Sequence, residues 1–217
     1  PNINTTSDWN NILTNNEISA VCIALPAEMH YEYCKSSLLA NKDVYVEKPI
    51  TLNISHAEEL IAFAKEKNKI LMVGHLLHYH PCVEKMKEII KSGKIGNIKT
   101  IIANRFSLGI FRKHENVLWS FAPHDISVIL SLLNDELPDS VMCHGSNNNL
   151  IEGIPDTVNC VLKYSNKYSE KYININVNWL SPNKEQRMTI IGETGIIVFE
   201  DTLKENSAQQ IMILGHQ

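Results

Sequence analysis

Residues 18–49 read ISAVCIALPAEMHYEYCKSSLLANKDVYVEKP, and this stretch decides the fold. Ile18 to Leu25 is a short continuous apolar run, His30 to Ala40 has the spacing of a helix, and Asp43 to Glu47 is β-branched and aromatic. The order is strand, helix, strand. Downstream, Ser55 and Glu58 have capping-box spacing at the start of a further helix, and Lys69 to Gly74 is again apolar. Upstream, Asp8 to Asn15 reads as a helix. Continuous rather than alternating apolar strands, joined by helices, predict a parallel sheet covered on both faces, the architecture of doubly wound nucleotide-binding domains.

The character changes after a helix at Cys82 to Lys91, which stops at Ser92-Gly93. Ile98 to Leu108 reads as a longer strand and Phe121 to Leu133 as a helix. Strands then follow one another at Val141–His144, Thr157–Tyr164, Tyr172–Trp179, Met188–Ile191 and Ile196–Glu200. Asn147-Asn148-Asn149, Ser165-Asn166 and Gly192-Glu193-Thr194-Gly195 supply turn residues between them. The expected class is α/β: part of a Rossmann-like parallel sheet over residues 1–93, then an α+β domain with a mostly antiparallel sheet over residues 94–217.

Charge and cysteine usage narrow the partners. Twenty basic and 24 acidic residues are scattered rather than blocked and leave a formal charge of −4, which argues against a nucleic-acid or anionic-membrane surface. Five cysteines, widely spaced and without a C-x-x-C, suggest neither a disulfide framework nor a zinc site, so a reducing cytoplasmic setting is expected. His75, His78 and His80 lie on an extended turn with no acidic partner adjacent in sequence, and no metal is expected there.

Two local patterns carry chemistry. Val44-Tyr45-Val46 ends in Glu47-Lys48-Pro49, and in open parallel sheets ligands bind outside the carboxyl ends of the strands. Glu47 and Lys48 are therefore delivered either to a ligand crevice or to a solvated strand end. The second pattern is Trp119-Ser120-Phe121-Ala122-Pro123-His124-Asp125. Proline suits a helix start, which places His124 in a first turn, where the macrodipole disfavours imidazolium and suits a neutral base. A packing or capping histidine fits the same pattern.

Together these residues resemble the glucose-fructose oxidoreductase, inositol dehydrogenase and rhizopine-catabolism (Gfo/Idh/MocA) family. The likeness spans most of the chain. It rests on Ile23-Ala24-Leu25-Pro26 followed by His30, on Glu47-Lys48-Pro49, on Val73-Gly74-His75-Leu76-Leu77-His78-Tyr79-His80-Pro81 and on Gly192-Glu193-Thr194-Gly195. It implies a hydride transfer between NAD or NADP and a secondary hydroxyl of a sugar or UDP-sugar. Lys48 would stand beside the nicotinamide and the reacting hydroxyl, with His124 as acid and base. Leu25, Pro26, His30, Glu47, Lys48 and Trp119 are cofactor-side candidates, and His78, Tyr79, Arg105 and His124 substrate-side ones. The resemblance also implies a homodimer or homotetramer built on the strand-rich half. Residues 116–127, with Asn104 to Gly109, look like the branch that oxidises the 3-hydroxyl of sugar nucleotides. The alternative is a non-catalytic NAD(P)- or sugar-binding sensor on the same fold.

Two departures stand out. Many family members have an aspartate where this chain has Ser120, which cannot pair with a cation as a carboxylate does. No G-x-G-x-x-G occurs either, and Gly93-Lys94-Ile95-Gly96 follows a helix and precedes a strand, the wrong order for phosphate binding. The expectation is a piece cut inside its nucleotide domain and again near Gln217, binding NAD(P) poorly and inactive as it stands.

Overall fold

The computed structural model describes residues 3–108, 111–112, 115–148, 152–165, 170–202 and 210–215. They fall into two compact units, residues 1–75 and 76–217.

The first unit contains α1 (Trp9–Thr14), β1 (Ala20–Ile23), α2 (His30–Leu39), β2 (Asp43–Val46), α3 (Ile54–Glu66) and β3 (Leu71–Val73). The strands pair in parallel in the order β1-β2-β3, with Ile23 beside Val46 and Val46 beside Val73. Asp8 caps α1 by accepting from the Asn10 N–H at 2.9 Å. The buried Lys42 ammonium donates to the carbonyls of Asn15 and Ile18, both at 2.8 Å, tying the end of α1 to the entry of β1. The cap of α3 is Asn53, in extended backbone, whose side chain accepts from Ser55 N–H at 2.9 Å. Ser55 therefore lies inside the helix, and the expected capping box is replaced by an asparagine cap two residues earlier. The core joins Ile23, Val44 and Val46 of the sheet to Cys34 and Leu38 of α2 and Leu60 and Ala64 of α3.

The second unit contains α4 (Pro81–Lys91), β4 (Ile98–Phe106), α5 (Val117–Leu132), β5 (Ser140–Ser146), β6 (Thr157–Ser165), β7 (Glu170–Asn178), β8 (Glu185–Gly192), β9 (Gly195–Glu200) and β10 (Gln210–Gly215). Its seven-stranded sheet runs β10-β9-β8-β4-β7-β6-β5. Every pair is antiparallel except β4 with β7. Alternation sorts its two faces. Ile101, Ala103 and Arg105 of β4 and Ile173, Ile175 and Val177 of β7 are buried, in one core with Val128, Ile129 and Leu132 of α5. On the opposite face Asn176 donates to Asn104 at 2.8 Å, and Asn104 to Glu185 at 2.9 Å. The β8–β9 turn is the expected Gly192-Glu193-Thr194-Gly195. A Cβ at Gly192 would collide with the Ile95 carbonyl. Lys99 first, then the Asn97 backbone and side chain, hold the Glu193 carboxyl at about 2, below its ordinary 4.5.

Three expectations change. The division falls after His75 rather than near Gly93, because Cys82, Val83, Met86 and Ile89 on the apolar face of α4 share a core with α5 and the second sheet. Helix α5 begins at Val117, capped by Asn116, so Pro123 is interior and His124 stands two turns in. The helix-end argument for a neutral imidazole, which decays within the first turn, does not apply to it. Cys143 and Cys160 form a disulfide, because the β5–β6 register sets them directly opposite with Cα atoms 4.2 Å apart. A separation of 17 residues carries no motif that would have revealed the pair. Residues 210–215 pair along β9 as β10. No helix among the described residues is long and apolar enough to cross a membrane.

Candidate active site

In the first unit the carboxyl ends of the three strands are stitched together. Glu47 N–H donates to the Ile23 carbonyl at 3.0 Å, and Gly74 N–H to the Val46 carbonyl at 2.8 Å. Leu25-Pro26, Glu47-Lys48-Pro49 and Gly74 are thereby gathered at one edge, where open parallel sheets receive ligands. Leu25, Glu47 and Lys48 are half-buried and Pro26 is exposed. The Lys48–Pro49 peptide is cis. Tyr45 donates to Glu47 at 3.4 Å, and a Cβ on Gly74 would lie 2.6 Å from the Tyr45 hydroxyl and 3.1 Å from the Glu47 carboxylate. A side chain at this position would have to displace the ends of those two side chains.

His30 does not face this edge as a cofactor contact was expected to. It is 1% exposed, with Nε2 2.7 Å from the Leu25 carbonyl and Nδ1 2.7 Å from the Pro49 carbonyl. It lies behind the loops that carry the other candidates.

In the second unit α5 organises the remaining candidates. Asn116 accepts from Trp119 N–H at 3.0 Å, which fixes the first turn and leaves the Trp119 indole 40% exposed. Ser120 is buried one turn before the half-buried His124, on the same helical face. Ser127 Oγ donates to the His124 carbonyl at 2.9 Å. Asp125 turns inward, where Arg105 from the end of β4 grips it through Nε at 2.8 Å and Nη2 at 3.0 Å. Both side chains are nearly inaccessible, at 9% and 7%. Arg105, expected on the substrate side, is thus committed to α5. The carboxylate that matters to it is the one next to His124 in sequence, a pairing that no local pattern marks.

The histidines of residues 75–80 divide between the two units. His78 is hydrogen-bonded to the Ser127 backbone, against the turn of α5 that follows His124. Burial, and after it the Lys87 charge, pushes its imidazole below the usual range against the opposing effects of Ser127 and Asp135. His80 caps α4, accepting from Cys82 N–H at 3.1 Å, with Asp201 3.8 Å from its other nitrogen. Tyr79 is exposed. Among the described residues no group of three or more histidines, cysteines or carboxylates could hold a metal ion. A cavity of about 570 Å³, lined in part by Asn97, Lys99, Asn134, Glu136 and Lys171, opens past the last turn of α5 and at the start of β4, the end of that strand away from Arg105.

The strand-end edge of the first unit suits the nicotinamide end of a dinucleotide. It offers an ammonium and a carboxylate on adjacent residues beside the apolar Leu25 and Pro26, while the described residues contain no glycine turn for a pyrophosphate.

Known proteins share this fold. Residues 1–75 match the model of an oxidoreductase family with an NAD-binding Rossmann fold, and residues 83–198 match the GFO/IDH/MocA C-terminal domain. The chain is 33% identical over 93 residues to dTDP-3,4-didehydro-2,6-dideoxy-alpha-D-glucose 3-reductase of Actinomadura kijaniata, covering 43% of this chain and 28% of that protein. The fold superposes on an inositol dehydrogenase homolog of Azotobacter vinelandii complexed with NADH and myo-inositol, with TM-score 0.81, 18% identity, 95% of this chain and 58% of that one. It also superposes on UDP-N-acetylglucosamine 3-dehydrogenase of Acidithiobacillus ferrooxidans, with TM-score 0.77, 21% identity, 90% of this chain and 61% of that one. The chain thus spans about three fifths of these solved relatives. The two family models together take in most of the chain, and it belongs to the GFO/IDH/MocA family of NAD-binding oxidoreductases.

Proposed function

We propose that the protein transfers a hydride between a nicotinamide cofactor and a secondary hydroxyl of a sugar nucleotide. The observation that carries this reading is the delivery of Lys48 to the carboxyl edge of the parallel sheet, with the Glu47 N–H and the Val46 carbonyl holding the strand end in place. Leu25, Pro26, Glu47 and Lys48 hold the nicotinamide end of NAD or NADP, with Trp119 as a further contact. When bound, the cofactor supplies the hydride acceptor for alcohol oxidation. Removing a hydride from carbon acidifies the attached hydroxyl, so the alkoxide charge needs a cation and its proton needs a base. Lys48 stabilises the charge and His124 takes the proton. His78 and Tyr79 serve the sugar side.

The sugar-nucleotide class is supported by the likeness to a dTDP-sugar 3-reductase and a UDP-sugar 3-dehydrogenase. The same reading places the reacting hydroxyl at carbon 3. It also places self-association on the open face of the second sheet, where Met142 and Tyr172 are exposed. Ser120, buried where many relatives have an aspartate, favours as a second reading a sensor that binds the same ligands without turnover.

The test is NADH formation by the complete polypeptide that contains this chain, offered UDP- and dTDP-sugars and free sugars. Turnover on a sugar nucleotide that His124→Ala removes is the expected result. Cofactor binding without turnover on any sugar would replace the enzyme by the sensor.

A further inference from the structure

The backbone at Lys48 is held from two sides by different means. Before it, Glu47 N–H donates to the Ile23 carbonyl at 3.0 Å, the last tie of the β1–β2 edge. Immediately after it the ladder has no donor to continue with, because Pro49 carries no N–H, and Pro26 beyond the end of β1 carries none either. Behind these two turns lies His30, the first residue of α2. Its Nε2 is 2.7 Å from the carbonyl of Leu25, which precedes Pro26, and its Nδ1 is 2.7 Å from the carbonyl of Pro49. At 1% exposure the ring is closed to solvent.

We propose that His30 is a positioning residue for Lys48, a side-chain link that takes over where the two prolines end the strand ladder. It rests on the assignment of Lys48 made above. A carbonyl oxygen only accepts, so the ring donates through at least one nitrogen, and through both when it carries two protons. With two protons His30 ties the loop after β2 to the loop after β1 and both to the start of α2; with one it ties one of those loops to α2. The residue between the Glu47 tie and the Pro49 tie is then fixed at its backbone and free to differ only in its side chain. The precision matters because displacing a reacting group by about 1 Å costs on the order of 10²-fold in rate.

The test uses the complete polypeptide with three variants. His30→Phe keeps a flat ring and removes both links; His30→Gln restores one donor; Lys48→Met removes the group being positioned. The expected result is a kcat for His30→Phe lowered on the order of 10²-fold, with cofactor Kd and sugar KM little changed, and partial recovery in His30→Gln. Parental kcat in His30→Phe, with Lys48→Met inactive, overturns the positioning role while leaving the proposed function in place. Parental turnover in Lys48→Met overturns both, and is recognised because the lysine variant itself fails to respond. Should His30→Phe not fold, imidazole N–H signals of the unmodified protein decide by NMR. A His30 ring proton protected from solvent exchange supports the link, and ring protons that all exchange freely overturn it.

Discussion

In residues 1–75 the fully shielded apolar side chains are few: Ile23, Cys34, Leu38, Val44, Val46, Leu60 and Ala64. In residues 76–217 one core runs from Cys82 on α4 to Phe199 on β9 and shields Trp179, Met86, Ile101, Ile129 and Ile190. Both units leave some large apolar side chains exposed, Ile54 and Ile70 in the first and Leu137 and Met142 in the second, but α1 buries nothing. Each shielded aliphatic residue contributes about 1.5–3 kcal/mol, so the second unit has far more to hold it together. The residues we assign to chemistry divide along the same line. Lys48 sits on the lightly built unit, held by a few backbone ties and one buried imidazole; His124 sits on a helix anchored by a buried ion pair. Precision in the first depends on individual hydrogen bonds, and in the second on the core.

The largest effect we expect comes from the anchor of the second unit. Asp125→Ala leaves the Arg105 guanidinium buried without its partner, at a cost of about 3–5 kcal/mol, read by urea denaturation of that unit. A loss no larger than that of an exposed ion pair would show that α5 does not depend on this link. In the first unit, Gly74→Ala drives a methyl into the Tyr45 hydroxyl and costs about 1–3 kcal/mol. Tyr45→Phe removes the oxygen and should return part of it; a second substitution that returns nothing would place the strain elsewhere.

A smaller effect compares the units within one sample. Burial pushes the Cys34 thiol up to about 12, and burial together with the Asp201 charge also raises that of Cys82. Both are shielded, one in each unit, so alkylation at neutral pH requires opening. Exposed Cys22 should label first, Cys34 next and Cys82 last, followed by mass spectrometry. Labelling of Cys82 before Cys34 would reverse the stability order argued here.

Much of this was legible in the sequence because apolar and β-branched stretches bounded by turn residues do mark strands, and β1 to β9 lie where such stretches occur, although β5 is exposed along its whole length. Lys48 was legible for the same reason, since it ends a run. What sequence could not carry was anything decided by partners far along the chain. The face of α4 bearing Val83 and Met86 has a helical period whichever sheet it covers, so the boundary was drawn too late. Pro123 looked like a helix start because the proline signal outweighed Asn116 seven positions before it, and with that the setting of His124 was misread. Arg105 with Asp125, Cys143 with Cys160, and the two carbonyls around His30 are meetings of residues brought together by register and packing. No local spacing encodes them.

The central claim is that Lys48 does chemistry rather than merely ending a strand. The direct measurement is turnover and cofactor binding by the Lys48→Met variant of the complete polypeptide, on a sugar nucleotide the parent oxidises. We expect NAD(H) to bind with hydride transfer abolished. Turnover at the parental rate would contradict the assignment and return Lys48 to the role of a solvated strand terminus.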